Sequence, residues 1–311
     1  MELKIVELNK NELNKVIDLF CLVWGEPREQ VKEKTNWAFL NSFSKVLVFK
    51  NNKEEIIAVR GGIKWPIIYN NKKFLCFQFH GTCVHPNYRR MGLFTKLNIA
   101  FLESCKDEGV ELIFNVSVKA SKLGYEKLGW QYLKGFHRLT KVHPINAVFK
   151  KNIDEEVIVS DKIEIPEIFF LAREKQFKNL INTSYDHNFL NWRLSNKEEN
   201  YRFFSTENAC VIYKTKIKKN RKELIIGDIF LLNKRFKDFH ICLSKLLEKE
   251  KPYLSFTYIF ASHPYYFFYL GFLYLPNPLN YNLNFGTKTL DDKLKISNLN
   301  WGVGFLDIDT F

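Results

Sequence analysis

The stretch from Thr82 to Trp130 constrains the fold of this chain most strongly. A β-rich run ends near Val84, and the apolar residues between Leu93 and Glu108 then repeat at helical spacing on one face. A second strand-like run covers Glu111 to Val116. This alternation of strand and helix predicts a mixed α/β fold.

The residues before this stretch predict a strand, a helix and a meander. Leu3 to Leu8 alternates as a strand does, and Lys10 to Val23 carries apolar residues at helical spacing. Short β-rich runs separated by turn residues then predict antiparallel hairpins. These runs are Lys45 to Lys50, Glu55 to Gly62, Trp65 to Tyr69 and Lys73 to Phe79. After the stretch's second strand, Ser121 is a fair N-cap for a short helix ending near Gly129.

Composition describes a globular chain. The 311 residues are 46% hydrophobic and 26% charged, which excludes a disordered chain, and the length favours two domains. There are 47 Lys and Arg against 34 Asp and Glu, a formal net charge of +13. That surplus favours an anionic partner such as a nucleotide cofactor, nucleic acid, an acidic carrier protein or a membrane surface, and does not choose among them.

Several classes of protein are disfavoured. The most lipid-like run, Tyr258 to Leu275, contains Pro264 and Gly271 and is read as core. The first residues lack the apolar run of a secretory signal, so we expect a cytoplasmic protein without membrane insertion. Six cysteines without a C-x-x-C pair and seven histidines without ligand spacing indicate no metal site and no disulfide framework.

A loop between strand and helix is the first candidate site. Arg89-Arg90-Met91-Gly92-Leu93-Phe94 places an Arg three residues before a Gly at a helix start. Consecutive N–H groups and the positive end of the helix suit a pyrophosphate there. The pattern R-x-x-G also occurs by chance in many proteins. Taken alone, it is therefore equally compatible with an ordinary strand-to-helix turn that binds no pyrophosphate.

Two motifs together resemble a known family. Val84-x-Pro86-x-Tyr-Arg-Arg-x-Gly-Leu, then a helix and a strand, then Gly124-Tyr125-Glu-Lys-Leu-Gly129-Trp130, resembles the GCN5-related N-acetyltransferase (GNAT) superfamily. The first motif corresponds to that family's acetyl-CoA pyrophosphate loop, usually R/Q-x-x-G-x-G/A, and the second to Y-x-K-x-G-F/W. The resemblance extends over residues 1 to about 145. Phe94 departs from it, since the family usually has Gly or Ala there.

The resemblance implies a GNAT fold, a mixed and mostly antiparallel sheet flanked by helices, with acetyl-CoA as co-substrate. Strands ending near Val84 and Val116 would splay to admit the thioester, and Tyr125 would protonate the departing thiolate. Alternatively, Tyr125 is an aromatic residue that packs its helix on the sheet. The groups implied to hold the CoA are the main chain of Cys83 and Val84, the amides of Arg90, Met91, Gly92, Leu93 and Phe94, and the charge of Arg89 or Arg90.

The base that accepts the proton of the amine has two candidates. His80 lies four residues before Val84, where relatives often place a base, although strand histidines are more often hydrogen-bonded structural groups. The second is the C-terminal carboxylate of Phe311, if the aromatic tail enters a cleft. Asp307 and Asp309 face one way on an extended strand and are candidate substrate ligands; a frayed tail is the alternative.

The second half repeats the order of the first. Gly227 to Phe272 mirrors Gly81 to Trp130 element by element, without a glycine in its loop, Asn233 to Asp238. This pattern predicts two GNAT-like modules in tandem, the second degenerate. We expect residues 1–145 to bind acyl-CoA, 146–184 to connect, and 185–311 to form the second module.

Architecture and aromatic content suggest where the acceptor binds. A degenerate module that helps form the acceptor site would place that site between the two halves. Trp192 and Arg193 offer an aromatic plane and a guanidinium for a sugar, base, carboxylate or phosphate; the alternative is a helix that packs Phe189 and Trp192 inward.

Three functions follow as hypotheses. The first is a CoA-dependent N-acetyltransferase that acts on a small primary amine, such as an amino sugar or its nucleotide-linked form. The second is an aminoacyl-tRNA-dependent transferase, motivated by the positive charge. The third is a GNAT-fold binding module without catalysis, motivated by Phe94 and the lack of an obvious base. The oligomeric state stays open.

Overall fold

The computed structural model describes residues 3–144, 164–277, 283–291, 294 and 300–308. The strands are β1 Lys4–Glu7, β2 Ser44–Lys50, β3 Ile56–Tyr69, β4 Lys72–Val84, β5 Leu112–Ser117, β6 Gln131–Tyr132, β7 Phe136–Val142, β8 Asn182–Thr183, β9 Arg202–Ser205, β10 Ala209–Lys218, β11 Arg221–Leu231, β12 Leu254–Phe260, β13 Leu275–Pro276 and β14 Asn284–Thr289. The helices are α1 Leu13–Trp24, α2 Arg28–Phe39, α3 Leu93–Asp107, α4 Lys119–Lys127, α5 Glu167–Phe177, α6 His187–Leu194, α7 Phe236–Glu250 and α8 Tyr266–Gly271.

The local predictions hold with three corrections. The expected break before Trp65 is wrong, because β3 runs through Gly61 and Gly62, which make room for rings rather than a turn. A Cβ on Gly61 would lie 2.4 Å from Phe39, and one on Gly62 would lie 2.6 Å from Phe101. Ser121 is not an N-cap, because α4 begins at Lys119.

The third correction is α2, which the apolar pattern did not reveal. Its sequence, REQVKEKTNWAF, is mostly polar, and Val31, Thr35, Ala38 and Phe39 alone are fully buried. A helix with so few apolar positions is stabilised by tertiary packing more than by its own pattern.

The first sheet follows the order β1-β2-β3-β4-β5-β14-β6, with β8 beside β3. Its pairs are antiparallel except β4 with β5. The mixed, mostly antiparallel sheet flanked by helices is therefore confirmed.

The second sheet, β13-β7-β12-β11-β10-β9, repeats this arrangement. Its one parallel pair, β11 with β12, corresponds to β4 with β5. The helices correspond too, since α7 follows β11 as α3 follows β4, and α8 follows β12 as α4 follows β5. Two modules in tandem, as the repeat predicted, account for both sheets.

The modules exchange strands. β7, from the first half, pairs with β12 and β13 in the second sheet, and β14, from the second half, pairs with β5 and β6 in the first. The expected division at 1–145, 146–184 and 185–311 therefore does not describe the sheets. Residues 146–163 of the expected connecting segment lie outside the described residues, which resume at Glu164, with α5 soon after.

Apolar side chains form three clusters. One packs α3 and α4 on the first sheet, and another packs α7 and α8 on the second. The largest joins the two sheets and includes Trp301 and Phe305, so these residues anchor the C-terminal part of the chain as expected. Within the described ranges, no helix is long and apolar enough to cross a membrane.

Candidate active site at the gap between β4 and β5

The two parallel strands of the first sheet separate. Cys76, Phe77 and Gln78 of β4 pair with Leu112 to Phe114 of β5, and no pairing follows, although β4 continues to Val84 and β5 to Ser117. β3 occupies the other edge of β4 as far as Val84. The edge of β4 around Cys83 and Val84 therefore offers main-chain groups to a ligand that enters the gap.

A β-bulge lies at this gap. Arg60 pairs with Thr82 and Gly61 with His80, so Gly81 is the extra residue of β4. Its φ is +53°, and a Cβ there would lie 2.8 Å from Cζ of Phe39. Both the dihedral angle and the contact favour glycine.

The predicted pyrophosphate loop follows the end of β4. Arg89, Arg90, Met91 and Gly92 are exposed, and Gly92, with φ +73°, is the residue before α3. Apart from its two chain neighbours, no heavy atom of the described residues lies within 4 Å of a Cβ built on Gly92. The loop thus leaves open space at the N-terminus of a 15-residue helix, where N–H groups favour an anion.

The unusual Phe94 packs away from the loop. Its ring lies against Gly124, where a Cβ would be 2.8 Å from Cε1, and its centroid is 5.3 Å from that of Tyr125. Leu93 is buried against the sheet. Phe94 therefore joins α3 to α4.

Tyr125 is buried beside a buried arginine that the sequence did not single out. The guanidinium of Arg60 donates from Nη2 to the Tyr125 hydroxyl at 2.7 Å and from Nη1 to Oγ1 of Thr82. Its Cζ lies 3.8 Å from the centroid of the Phe79 ring. No sequence pattern indicates Arg60, because it stands in a β-rich run at no recognisable spacing from Tyr125.

His80 faces the other side of β4. Its ring makes edge contacts with Trp37 and Phe39 of α2, at centroid distances of 6.2 and 5.8 Å. Phe79, the neighbouring residue, packs instead with Trp130 near Tyr125. Tyr125 and His80 therefore lie on opposite faces of the strand that borders the gap.

Trp192 connects the two halves. Its indole stacks on Trp37 with centroids 4.9 Å apart, and each indole N–H donates to the other residue's carbonyl, at 2.9 and 3.2 Å. Trp192 is half-buried. One face of the ring and its N–H thus join α6 to α2, in agreement with the alternative of a helix that packs Trp192 inward.

Arg193 and Asp307 are not presented to a substrate, contrary to expectation. Arg193 is fully buried and donates to the carbonyls of Leu306 and Ile308. Asp307 is fully buried in a 3₁₀ turn, where its carboxylate accepts from the Tyr185 hydroxyl at 2.5 Å and from the Gly304 N–H at 2.6 Å. Both side chains fix the C-terminal segment; Asp309 and Phe311 lie outside the described residues.

The corresponding gap in the second sheet is filled by the chain itself. β11 and β12 pair only over Glu223 to Ile225, and Gly227 is skipped in the register as Gly81 is. A Cβ on Gly227 would lie 3.5 Å from Leu306, and Gly304 forms a bridge with Ile259. Among the described residues, the gap of the second module is therefore occupied, in agreement with the predicted degeneracy.

A buried ion pair supports this filled gap. Arg173 donates to Oδ2 of Asp228 at 3.1 Å, and also to Asn182 and Thr183. Burial raises the pKa of Asp228 to about 6, while the positive charge of Arg173 opposes that rise. Asp228 is the residue after the skipped glycine, the position that Thr82 holds in the first sheet.

Five of the six cysteines are buried. Burial raises the pKa of the Cys83 thiol to about 12, so this thiol beside the gap stays protonated near neutral pH. All six cysteines are free, and the described part of the chain has no group of three His, Cys, Asp or Glu residues arranged around a metal position.

Comparisons with known proteins agree with this geometry. The family model for the acetyltransferase (GNAT) domain matches residues 4–133. No curated protein sequence matches the chain.

Solved structures share the fold of nearly the whole chain. A probable N-acyltransferase from Enterococcus faecalis V583 is 13% identical, with a TM-score of 0.64, over 93% of this chain and 72% of that one. A GCN5-related N-acetyltransferase from Kribbella flavida is 14% identical with a TM-score of 0.67 over the same shares. A putative acetyltransferase from Pyrococcus horikoshii is 14% identical, with a TM-score of 0.56, over 97% and 93%. The match to residues 4–133, which contain the gap, the pyrophosphate-type loop and Tyr125, identifies this part of the chain as similar to the GNAT acetyltransferase domain.

Proposed function

We propose that this protein is an acetyl-CoA-dependent N-acetyltransferase that acetylates the primary amine of a small molecule by direct attack on the thioester. The observation that carries the proposal is the gap between β4 and β5, with the open Gly92 loop at its end and Tyr125 at its side. The bound co-substrate would supply the activated acetyl group.

The residues that would hold the co-substrate form a continuous path. The amides from Arg90 to Phe94 would bind the pyrophosphate, with Arg89 or Arg90 adding positive charge. The main chain of Cys83 and Val84 lies on the unpaired edge of β4, where pantetheine amides would extend the sheet's hydrogen bonding.

Two side chains have complementary roles in the proposed reaction. Tyr125 would donate its hydroxyl proton to the thiolate as the carbon–sulfur bond breaks. His80, on the opposite face of β4, would accept a proton from the attacking amine. An acid on one face and a base on the other suit an acceptor that approaches from the side opposite the CoA.

We propose an amino sugar, free or nucleotide-linked, as the acceptor. The ring of Trp37, which is half-buried, borders His80. Aromatic rings stack on the apolar faces of sugars and attract a protonated amine.

The experiment is a thiol-release assay with acetyl-CoA and a panel of amino sugars, simple alkyl amines and aryl amines. Tyr125→Phe should lower kcat by about 100-fold with little change in acetyl-CoA Kd, because the phenyl ring keeps the packing and loses the proton. His80→Asn should lower kcat with an amine of high pKa more than with one already neutral.

The alternatives have distinct outcomes in this assay. Full activity in Tyr125→Phe would overturn the assigned acid. No thiol release with any amine would remove the enzymatic proposal, and steep salt-dependent tRNA binding without acetyl-CoA binding would replace it with the tRNA-dependent transferase.

A further inference from the structure

Arg60 is buried and forms a hydrogen bond with the hydroxyl of Tyr125. It is 1% exposed, on β3, and its two terminal nitrogens donate to Tyr125 and Thr82 while its Cζ covers the Phe79 ring. These three contacts fix the guanidinium plane, so the position of the tyrosine oxygen is fixed as well.

The direction of this hydrogen bond matters chemically. A guanidinium has donors only, so the Tyr125 oxygen must accept from it. The tyrosine's own O–H proton is then directed to another acceptor. When that proton leaves, the remaining phenolate lies 2.7 Å from a cation in a buried site, where a charge-assisted hydrogen bond is strong.

We propose that Arg60 is the positioning residue of this active site: it orients the Tyr125 hydroxyl toward the leaving thiolate and stabilises the phenolate that results. This inference rests on the proposed acetyl transfer. As the amine nitrogen bonds to the acetyl carbon, the carbon–sulfur pair passes to sulfur, and the Tyr125 proton forms the S–H bond. The amine loses its proton to the base, and the phenolate recovers one from solvent.

The second module shows that the fold itself does not require this arginine. Its sheet has the same register shift, and Ile212 stands opposite Asp228 where Arg60 stands opposite Thr82. Tyr269 corresponds to Tyr125.

The helix ends establish that correspondence. The N–H of Tyr274 donates to the Tyr269 carbonyl, as the N–H of Trp130 donates to that of Tyr125. Tyr269 is also buried, at 2% exposure. In the module whose slot is filled, isoleucine thus stands at the register position of the arginine, and Ile212 packs in the cluster that joins the sheets while Tyr269 packs in the cluster of α7 and α8. The arginine occurs in the module whose slot is open.

The test compares Arg60→Met, Arg60→Lys and Tyr125→Phe, alone and combined, by kcat, acetyl-CoA Kd and thermal unfolding. Arg60→Met should lower kcat by about 100-fold and change Kd by less than about threefold. Arg60→Lys keeps the positive charge, so its kcat should be at least about tenfold higher than that of Arg60→Met. Because Arg60 acts through Tyr125, the double variant with Tyr125→Phe should be no slower than Tyr125→Phe alone to within about threefold.

A matched control separates catalysis from packing. Arg138 lies 3.8 Å above the Phe256 ring in the second sheet, as Arg60 lies above Phe79, and Arg138→Met should leave kcat unchanged. If Arg60→Met does not fold, the comparison is made with Arg60→Ile, the residue of the second sheet at this position, and with Arg60→Lys.

Three results would overturn the inference while leaving the acetyltransferase proposal intact. The first is a normal kcat in Arg60→Met although Tyr125→Phe is slow. The second is a double variant whose loss of kcat equals the product of the two single losses. The third is a kcat in Arg60→Lys as low as that in Arg60→Met. A wild-type protein that releases no thiol would instead defeat the proposed function itself, and a fully active Tyr125→Phe would overturn the assigned acid and, with it, this inference.

Discussion

Gly286 lies directly opposite Asn115 in the antiparallel pair of β14 and β5, although the two residues come from different halves of the chain. Gly286 also pairs with Tyr132 of β6, and a Cβ on it would lie 3.0 Å from the Tyr132 ring. One wall of the first module is therefore made by a strand of the second half. The two modules must fold together.

The exchange predicts that neither half folds alone. Residues 1–145, expressed separately, should show no cooperative thermal unfolding and no acetyl-CoA binding, because β5 and β6 lack their partner strand. Co-expression with residues 146–311 should restore both properties and yield a complex that purifies together. The same co-expression with Thr287→Pro serves as control, since proline removes an N–H from the middle of β14. Binding by residues 1–145 alone would contradict the prediction.

The loop before α3 predicts a charge-specific loss of binding. Gly92→Glu should weaken acetyl-CoA binding by about 100-fold, because a carboxylate would stand at the anion site, measured by isothermal titration. Gly92→Gln is the uncharged control. Either side chain strains the backbone at φ +73° by about 1–2 kcal/mol, but the glutamine adds no negative charge. Gly92→Gln should therefore weaken binding by less than about tenfold. Equal losses in both variants would point to backbone strain instead.

The buried pair of Arg173 and Asp228 predicts a large loss of stability. Arg173→Met should lower the free energy of unfolding by about 3–5 kcal/mol, because it leaves a carboxyl group buried without its partner. Adding Asp228→Asn should recover part of this loss, as measured by urea denaturation. Lys72→Met, at the exposed pair with Glu111, should cost less than about 1 kcal/mol. A loss of less than about 1 kcal/mol in the free energy of unfolding of Arg173→Met would refute the prediction.

His263 predicts a specific dependence of stability on pH. Burial, with a smaller effect of the Arg173 charge, lowers the pKa of His263 well below 6.5. Below pH 6.5 the unfolded chain binds a proton that the folded chain does not, so stability is lost as the pH falls. The contribution to the slope approaches about 1.4 kcal/mol per pH unit.

The variant His263→Phe isolates this contribution. It keeps an aromatic ring between Phe177 and Tyr265 and removes the titrating group. Its free energy of unfolding should fall less steeply than that of the wild type between pH 6.5 and 5. Parallel curves for the two proteins would show that His263 does not contribute.

Much of the site was predictable because its residues follow one another along the chain. The end of β4, the Gly92 loop, α3 and the Tyr125 helix all lie between Thr82 and Trp130, and local periodicity and turn chemistry specify each of them. The repeat was visible for the same reason, since Gly81 and Gly227 begin equivalent local series.

The errors concern residues whose role depends on distant partners. Arg193 and Asp307 resemble ligand-binding residues in sequence, yet both are used to anchor residues 304–308. In sequence, Arg60 resembles an ordinary strand residue, and only the register of β3 against β4 brings its guanidinium within hydrogen-bond distance of the Tyr125 hydroxyl.

The sequence by itself therefore determined the order of strands and helices, the duplicated architecture and the position of the Gly92 loop at the start of α3, because neighbouring residues settle these features. The tertiary structure decided that β7 and β14 change places, that the C-terminal segment fills the second gap, and that Arg60 meets Tyr125. Strand pairing joins residues far apart in the chain, and its energy comes from side-chain packing and register that no local pattern records.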